Sequence, residues 1–152
     1  MPHPVTLDAA GIAAGATARA AFVRGLGAAC RDEGFLLLQN HGIPAELCRA
    51  VLADAAAFFA RPAADKERLH IRHSTNHRGF SRMQNSRDWR EQLHFAAEWP
   101  EGAWSPGKPD HYRLAGGNPW PDAAFASTLL RYMAAVQALG FRLLDALGEC
   151  LG

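Results

Sequence analysis

Apolar residues recur along this chain in more than one rhythm, and each rhythm predicts a different element. From Thr17 to Glu33, Phe22, Leu26 and Ala29/Cys30 fall at helical spacing, which predicts an amphipathic helix. Thr17 is the expected N-cap, and Gly34 stands where a helix needs a left-handed terminus. The rhythm then changes, because Phe35-Leu36-Leu37-Leu38 runs without alternation. A short unbroken apolar run marks a strand covered on both faces, so residues 35–38 are expected to form a buried strand that organises the rest. Val5 to Leu7 is the expected edge strand, and Asn40-His41-Gly42 the turn that follows the buried one.

Helical spacing returns after Pro44, the expected first residue of a second helix. Leu47, Val51, Ala55 and Phe58 form its stripe, widened by Cys48, Leu52 and Phe59. Pro62 opens a short third helix through Asp65, Lys66 and Glu67. From His70 to Asp88 no period survives, which predicts a loop-rich crossing with a short strand at Gly79-Phe80-Ser81. Trp89 to Phe95 alternates: Trp89, Glu91, Leu93 and Phe95 share one face, and Arg90, Gln92 and His94 the other. A polar face on a strand flanked by aromatics fits a ligand cavity, and it equally fits a solvent-facing edge.

Pro100 to Pro121 is rich in Pro and Gly and reads as a long surface connection. Asp122 starts the last helix, whose seam is Leu129, Met133, Val136, Gly140, Leu143, Leu147 and Cys150. Gly140 on that seam is expected to admit another backbone closely. Such a helix is roughly 45 Å long, against about 38 Å for a compact globule of this length. Its apolar stripe is expected to continue against a partner beyond residue 152.

Composition narrows the class. At 152 residues, with 49% hydrophobic and 20% charged positions, the chain has the size and make-up of one globular domain. A net charge of +1 gives no global field for nucleic acid or an anionic membrane. Cys30, Cys48 and Cys150 show no ligand spacing and are expected to be reduced thiols in a cytoplasmic protein. The Ala-rich stretch from Ala9 to Ala29 is broken by Arg19 and Arg24, so it reads neither as a leader nor as a membrane span.

Few residue groups carry chemistry on their own. His70, His73 and His77 stand at i, i+3 and i+7, but Ser, Thr, Asn and Gly around them break the helix that a shared face needs, and no metal site is expected. Basic residues from Arg61 to Arg90, with Phe80 and Trp89, resemble a nucleic-acid strip, a reading ranked last because no binding motif accompanies it. His41 reads as a turn residue. Phosphate loops, nucleophile elbows and dinucleotide fingerprints are absent.

Six pieces in order, however, resemble the N-terminal region of the isopenicillin N synthase-like, 2-oxoglutarate- and Fe(II)-dependent oxygenases. They are Ala29-Cys30-Arg31-Asp32-Glu33-Gly34-Phe35, Asn40-His41-Gly42-Ile43-Pro44, Phe58-Phe59-Ala60-Arg61-Pro62 with Lys66, His77-Arg78-Gly79-Phe80, Asp88-Trp89-Arg90-Glu91-Gln92-Leu93-His94-Phe95, and Asn118-Pro119-Trp120-Pro121. In that family such a region braces a double-stranded β-helix, or jelly roll, which holds iron through a His-x-Asp pair and a later His. No histidine of this chain is followed two positions on by Asp or Glu.

The resemblance therefore implies an α+β fold: a mainly helical N-terminal module spanning residues 1–152, with a few short strands that would extend a jelly roll absent from this chain. It implies the N-terminal part of an oxidoreductase acting on a small organic substrate, inactive in isolation. Fe(II) and 2-oxoglutarate belong to the complete enzyme, and no catalytic or metal-ligating residue is expected here. The partner is the missing jelly roll, in cis or as a separate chain, with no membrane and no nucleic acid involved. Gln92 and His94, with Arg90 behind them, match the strand that borders the family's substrate cavity. The competing expectation is a non-catalytic helical adaptor that binds a partner through its last helix.

Overall fold

The computed structural model describes residues 4–99 and 105–152. The chain divides into two compact units, one made of Met1–Cys48 with Leu130–Gly152 and the other of Arg49–Leu129. The fold is α+β, built from helices and two small sheets.

In the first unit, β1 (Thr6–Asp8) pairs in parallel with β2 (Leu37–Gln39), in the register Thr6 to Leu37 and Asp8 to Gln39. Parallel neighbours need a crossover connection, and α1 (Ala16–Asp32) lies in the one used here. Ala9, Ile12, Phe22, Leu26 and Ala146 are buried together, with Leu7, Leu36, Leu38, Leu143 and Leu147 packed against them. Phe22 and Leu26 each contribute about 1.5–3 kcal/mol through burial. Gly25 permits the close packing of α1 on β1, since a Cβ there would lie 2.9 Å from Leu7 Cδ2.

The strand expected to be buried on both faces is not. Leu36 and Leu38 enter the core, whereas Phe35 and Leu37 are 59% and 53% exposed. A two-stranded sheet with core packed on one side leaves alternate positions outside, so an unbroken apolar run here has one wet face. Thr17 is also corrected: α1 begins at Ala16 after Gly15, which makes no side-chain cap. The C-terminal expectation holds, because Gly34 has φ +76° and donates its N–H to the Ala29 carbonyl at 3.0 Å. His41 is a turn residue as expected, accepting the Ile43 N–H on Nδ1 at 3.1 Å.

Helix α2 (Ala45–Phe59) starts one residue later than expected, and the Pro44 carbonyl receives the first helical bonds from Leu47 and Cys48. Leu47 and Phe58 of its stripe are buried, but Leu52 is 70% exposed and lies off it. Helix α4 (Ala123–Leu151) runs 29 residues without interruption. Asp122 precedes it as an N-cap, its Oδ1 accepting the Phe125 N–H at 2.9 Å. Gly140 admits no close backbone, since a Cβ there would meet nothing within 4 Å.

The second unit is aromatic at its centre. Phe58, Phe80 and Phe125 are buried and meet edge-on, with Phe58 centroids 6.2 Å from Phe80 and 6.3 Å from Phe125. Trp120 stacks on Phe95 at 4.6 Å, and its Nε1 donates to Glu98 Oε1 at 2.8 Å. The end of the Pro/Gly-rich connection is thus tied into the core. Residues 100–104 of that connection lie outside the described set. Two antiparallel strands, β3 (Gly79–Gln84) and β4 (Trp89–His94), form a hairpin, so β3 is longer than the three residues expected. Gly79 is required where it stands: φ is +116°, and a Cβ would fall 2.2 Å from the Leu69 carbonyl oxygen.

Candidate functional site

The hairpin sorts its residues onto two faces. Phe80 pairs with Leu93, Arg82 with Glu91 and Gln84 with Trp89 on one side; Ser81 pairs with Gln92 and Met83 with Arg90 on the other. Phe80 and Leu93 join the aromatic core, so the first face turns inward at that end of the hairpin and opens to solvent at Trp89, which is 68% exposed, while the second face is outward. The structure therefore brings Gln92 and His94 together on the outward face. His94 Nε2 lies 3.0 Å from Gln92 Oε1 and 3.5 Å from Ser81 Oγ, so the three side chains form one short polar chain. Ser81 was not picked out from sequence, although strand pairing opposite Gln92 is the signal that finds it. Arg90 shares that face but turns to Asp88, with its Nε 3.6 Å from Asp88 Oδ2. Chemically, this face offers hydroxyl, amide and imidazole groups to a ligand.

The inward face contains a charge that the alternation alone does not reveal. Glu91 Oε2 accepts from Lys66 Nζ at 2.6 Å, and its Oε1 from Arg82 at 3.2 Å. Lys66, in α3 (Ala63–Glu67), is buried, donates also to the Phe59 carbonyl at 2.9 Å, and lies 5.9 Å from the Phe80 ring centroid. The Lys66 hydrogen bond and charge hold the Glu91 carboxyl below its ordinary value, with Arg82 adding to them and burial opposing. This pair locks the strand whose other side carries Gln92 and His94.

The 114–118 segment is held by a second buried polar group. Arg78, 5% exposed, donates to the carbonyls of Gly116 at 2.5 Å and Leu114 at 3.2 Å. Asn76, also buried, donates to the Gly117 carbonyl at 3.1 Å. Asn118 bridges Ala96 in both directions, accepting its N–H at 3.0 Å and donating to its carbonyl at 2.7 Å.

The basic run from Arg61 to Arg90 does not form a strip. Arg61 pairs with Asp122, Arg68 with Asp65, Arg72 with Glu67, Arg82 with Glu91 and Arg90 with Asp88, while Lys66 and Arg78 are buried. Among the described residues no group of three or more His, Cys, Asp or Glu could hold a metal ion. These residues therefore do not fit an Fe(II) centre. No helix among the described residues is long and apolar enough to cross a membrane.

Residues 6–123 match the family model of the non-haem dioxygenase in morphine synthesis N-terminal domain, so this chain belongs to that family, the N-terminal region of the 2-oxoglutarate- and Fe(II)-dependent oxygenases. It is 31% identical to the 2-oxoglutarate-dependent dioxygenase frbJ of Dothideomycetidae sp. (strain 11243), over 87% of this chain and 37% of that protein. It is 34% identical to flavanone 3-dioxygenase 2 of Oryza sativa subsp. japonica, over 88% of this chain and 37% of that one. The fold is also that of a protein assigned to the 2OG-Fe(II) oxygenase family in Caulobacter crescentus, with a TM-score of 0.81 and 21% identity over 99% of this chain and 49% of the other. The chain thus spans between about a third and a half of the lengths of these relatives.

Proposed function

We propose that this chain is the N-terminal part of a 2-oxoglutarate- and Fe(II)-dependent oxygenase that oxidises a small organic substrate in the cytoplasm. The observation that carries the reading is the family match over residues 6–123, in relatives more than twice as long that are named as dioxygenases. In the complete enzyme a jelly roll, in cis or as a separate chain, would hold Fe(II) and 2-oxoglutarate, which together supply oxidative chemistry coupled to decarboxylation. This chain's own contribution is a wall of the substrate cavity. Gln92 and His94 orient the substrate by hydrogen bonds from the outward face of β4, with Ser81 supporting His94 and Arg90 at the margin. Lys66 and Glu91 keep that strand in register from behind.

The isolated chain is inactive on this reading. Titration with Fe(II) and with 2-oxoglutarate tests it: affinity near background is expected, and stoichiometric iron binding overturns the assignment. Reading the coding sequence downstream of Gly152 supplies the complementary test, with His-x-Asp, a later His and Arg-x-Ser expected.

A second reading is favoured by one observation. Phe141, Leu144 and Leu151 of α4 are 58%, 61% and 88% exposed and share a helical stripe. The seam expected to bind a partner is instead packed inward at Leu143 and Leu147, so a non-catalytic adaptor would use this other stripe for self-association or partner binding. Concentration-dependent mass with unchanged stability on dilution would favour the adaptor.

A further inference from the structure

A cleft of about 600 Å³ opens in the second unit, away from the polar face of β4, and neither the family match nor the proposed substrate wall assigns it a role. One side is the 68–76 segment, the other the 115–119 segment, with Trp99 beside them. Its size is that of an ordinary small-molecule site.

Its lining has a chemical sign. Arg68, His70 and His73 contribute nitrogen donors, Thr75 a hydroxyl and Trp99 an aromatic surface, and among the described residues no Asp or Glu lines the cleft. The ring of His70 is oriented from behind. Its Nδ1 accepts the Arg72 N–H at 3.0 Å, and its ring meets Phe80 edge-on at 6.2 Å. With Nδ1 engaged as an acceptor, Nε2–H is the donor this ring offers. Arg68 is 80% exposed along its side chain, and its pairing with Asp65 is long, one guanidinium nitrogen lying 3.9 Å from Asp65 Oδ1, so the fork can still turn a face to a ligand.

The opposite wall is built close to the backbone. Gly116 has φ +157°, and a Cβ there would fall 2.5 Å from Asn76 Nδ2. Asn76 and Arg78 hold this wall through the Gly117, Gly116 and Leu114 carbonyls. The shape of the cleft is thereby set by buried bonds, before any ligand arrives.

We propose that this cleft binds a small organic anion, a carboxylate or phosphate monoester carried on a planar body. The anionic head meets Arg68 and His70, and the body lies against Trp99. Guanidinium and imidazole donors, with no carboxylate among the described lining residues, select against cations and give a neutral ligand of the same shape little reason to stay.

The test uses the chain as it stands and three probes of one shape: benzoate, phenyl phosphate and benzamidine. Isothermal titration, with indole fluorescence read in parallel and Trp99→Phe assigning the signal, is expected to show saturable binding of at least one anion at about millimolar affinity. Benzamidine is expected not to bind. Arg68 is exposed, so Arg68→Ala leaves the fold intact and is expected to weaken the anion about tenfold, a value typical of one charge-assisted contact. Arg87→Ala, which removes an exposed cation outside the cleft lining, is expected to leave the affinity unchanged. A preference for benzoate or for phenyl phosphate would identify the head group. The proposal is overturned if neither anion saturates, if benzamidine binds equally well, or if Arg68→Ala has no effect. None of these outcomes touches the oxygenase reading, which is tested by iron and 2-oxoglutarate.

Discussion

The two units of this chain solve the same problem with different chemistry. The first packs small and aliphatic groups, Ala9, Ile12, Leu26 and Ala146 with one Phe, and buries no charged side chain among the described residues. The second packs three phenylalanines and places Lys66, Asn76 and Arg78 among its buried residues. Aliphatic packing specifies little beyond volume. A buried cation demands particular partners at particular distances, and these partners are the hairpin and the 114–118 segment. The unit that carries the polar strand face and the cleft is also the one whose interior is fixed by hydrogen bonds. The cost of burying charge is being met where geometry has to be kept.

That contrast can be broken by substitution. Phe58→Ala and Phe80→Ala are expected to destabilise the second unit by about 3–5 kcal/mol each, measured by urea unfolding. Glu91→Ala follows, at about 3 kcal/mol, because it leaves the Lys66 ammonium buried without its carboxylate. Replacing both Lys66 and Glu91 with methionine should cost much less than Glu91→Ala alone; an equal or larger loss would mean that the pair is not the source of the penalty. In the first unit Leu26→Ala is expected to cost about 2–4 kcal/mol, with no dependence on pH or salt.

Acid should distinguish the units more gently. Glu91 and Asp122 both have carboxyls held below their ordinary values of 4.5 and 3.8, Glu91 chiefly by Lys66 and Asp122 by the Phe125 N–H and then by Arg61. A lowered folded value gives stability that is present above the ordinary value and lost as pH falls through the folded one. The second unit is therefore expected to weaken below about pH 4.5, and Glu91→Gln should flatten part of that fall. Arg19 is opposite in sign: its hydrogen bond to Glu149 raises it, so its own protonation contributes no pH dependence in the neutral range. The smallest effect expected is that of Gln92→Ala, within about 0.5 kcal/mol in unfolding.

Much of this was legible in the residues. Gly34, Asp122, the short helix after Pro62, and the alternation of Trp89 to Phe95 are local signals, and each is found within a residue or so of its expected place. What failed was the reading of Phe35 to Leu38, because a period cannot say whether a second apolar face is covered. Leu52 failed for the same reason on a helix. The Lys66–Glu91 pair was hidden because its members stand 25 positions apart, and a carboxylate between Trp89 and Leu93 on an inward face looks like an interruption until its cation is seen. The cleft was invisible for a related reason, since its two walls are joined across 41 positions by the Asn76 side chain on the Gly117 carbonyl.

The two-faced hairpin also constrains how this domain can change over generations. Each position from Trp89 to His94 is committed to one side by its neighbour across the ladder. Replacing one residue alters one side only. Inserting or deleting one would exchange the sides, turning Glu91 outward and Gln92 into the aromatic core. The Asn85–Asp88 turn is closed by its own bonds, the Asn85 side chain accepting the N–H groups of Arg87 at 2.8 Å and Asp88 at 2.9 Å. Length variation in this hairpin should therefore be confined to that turn, while the strands drift by substitution alone.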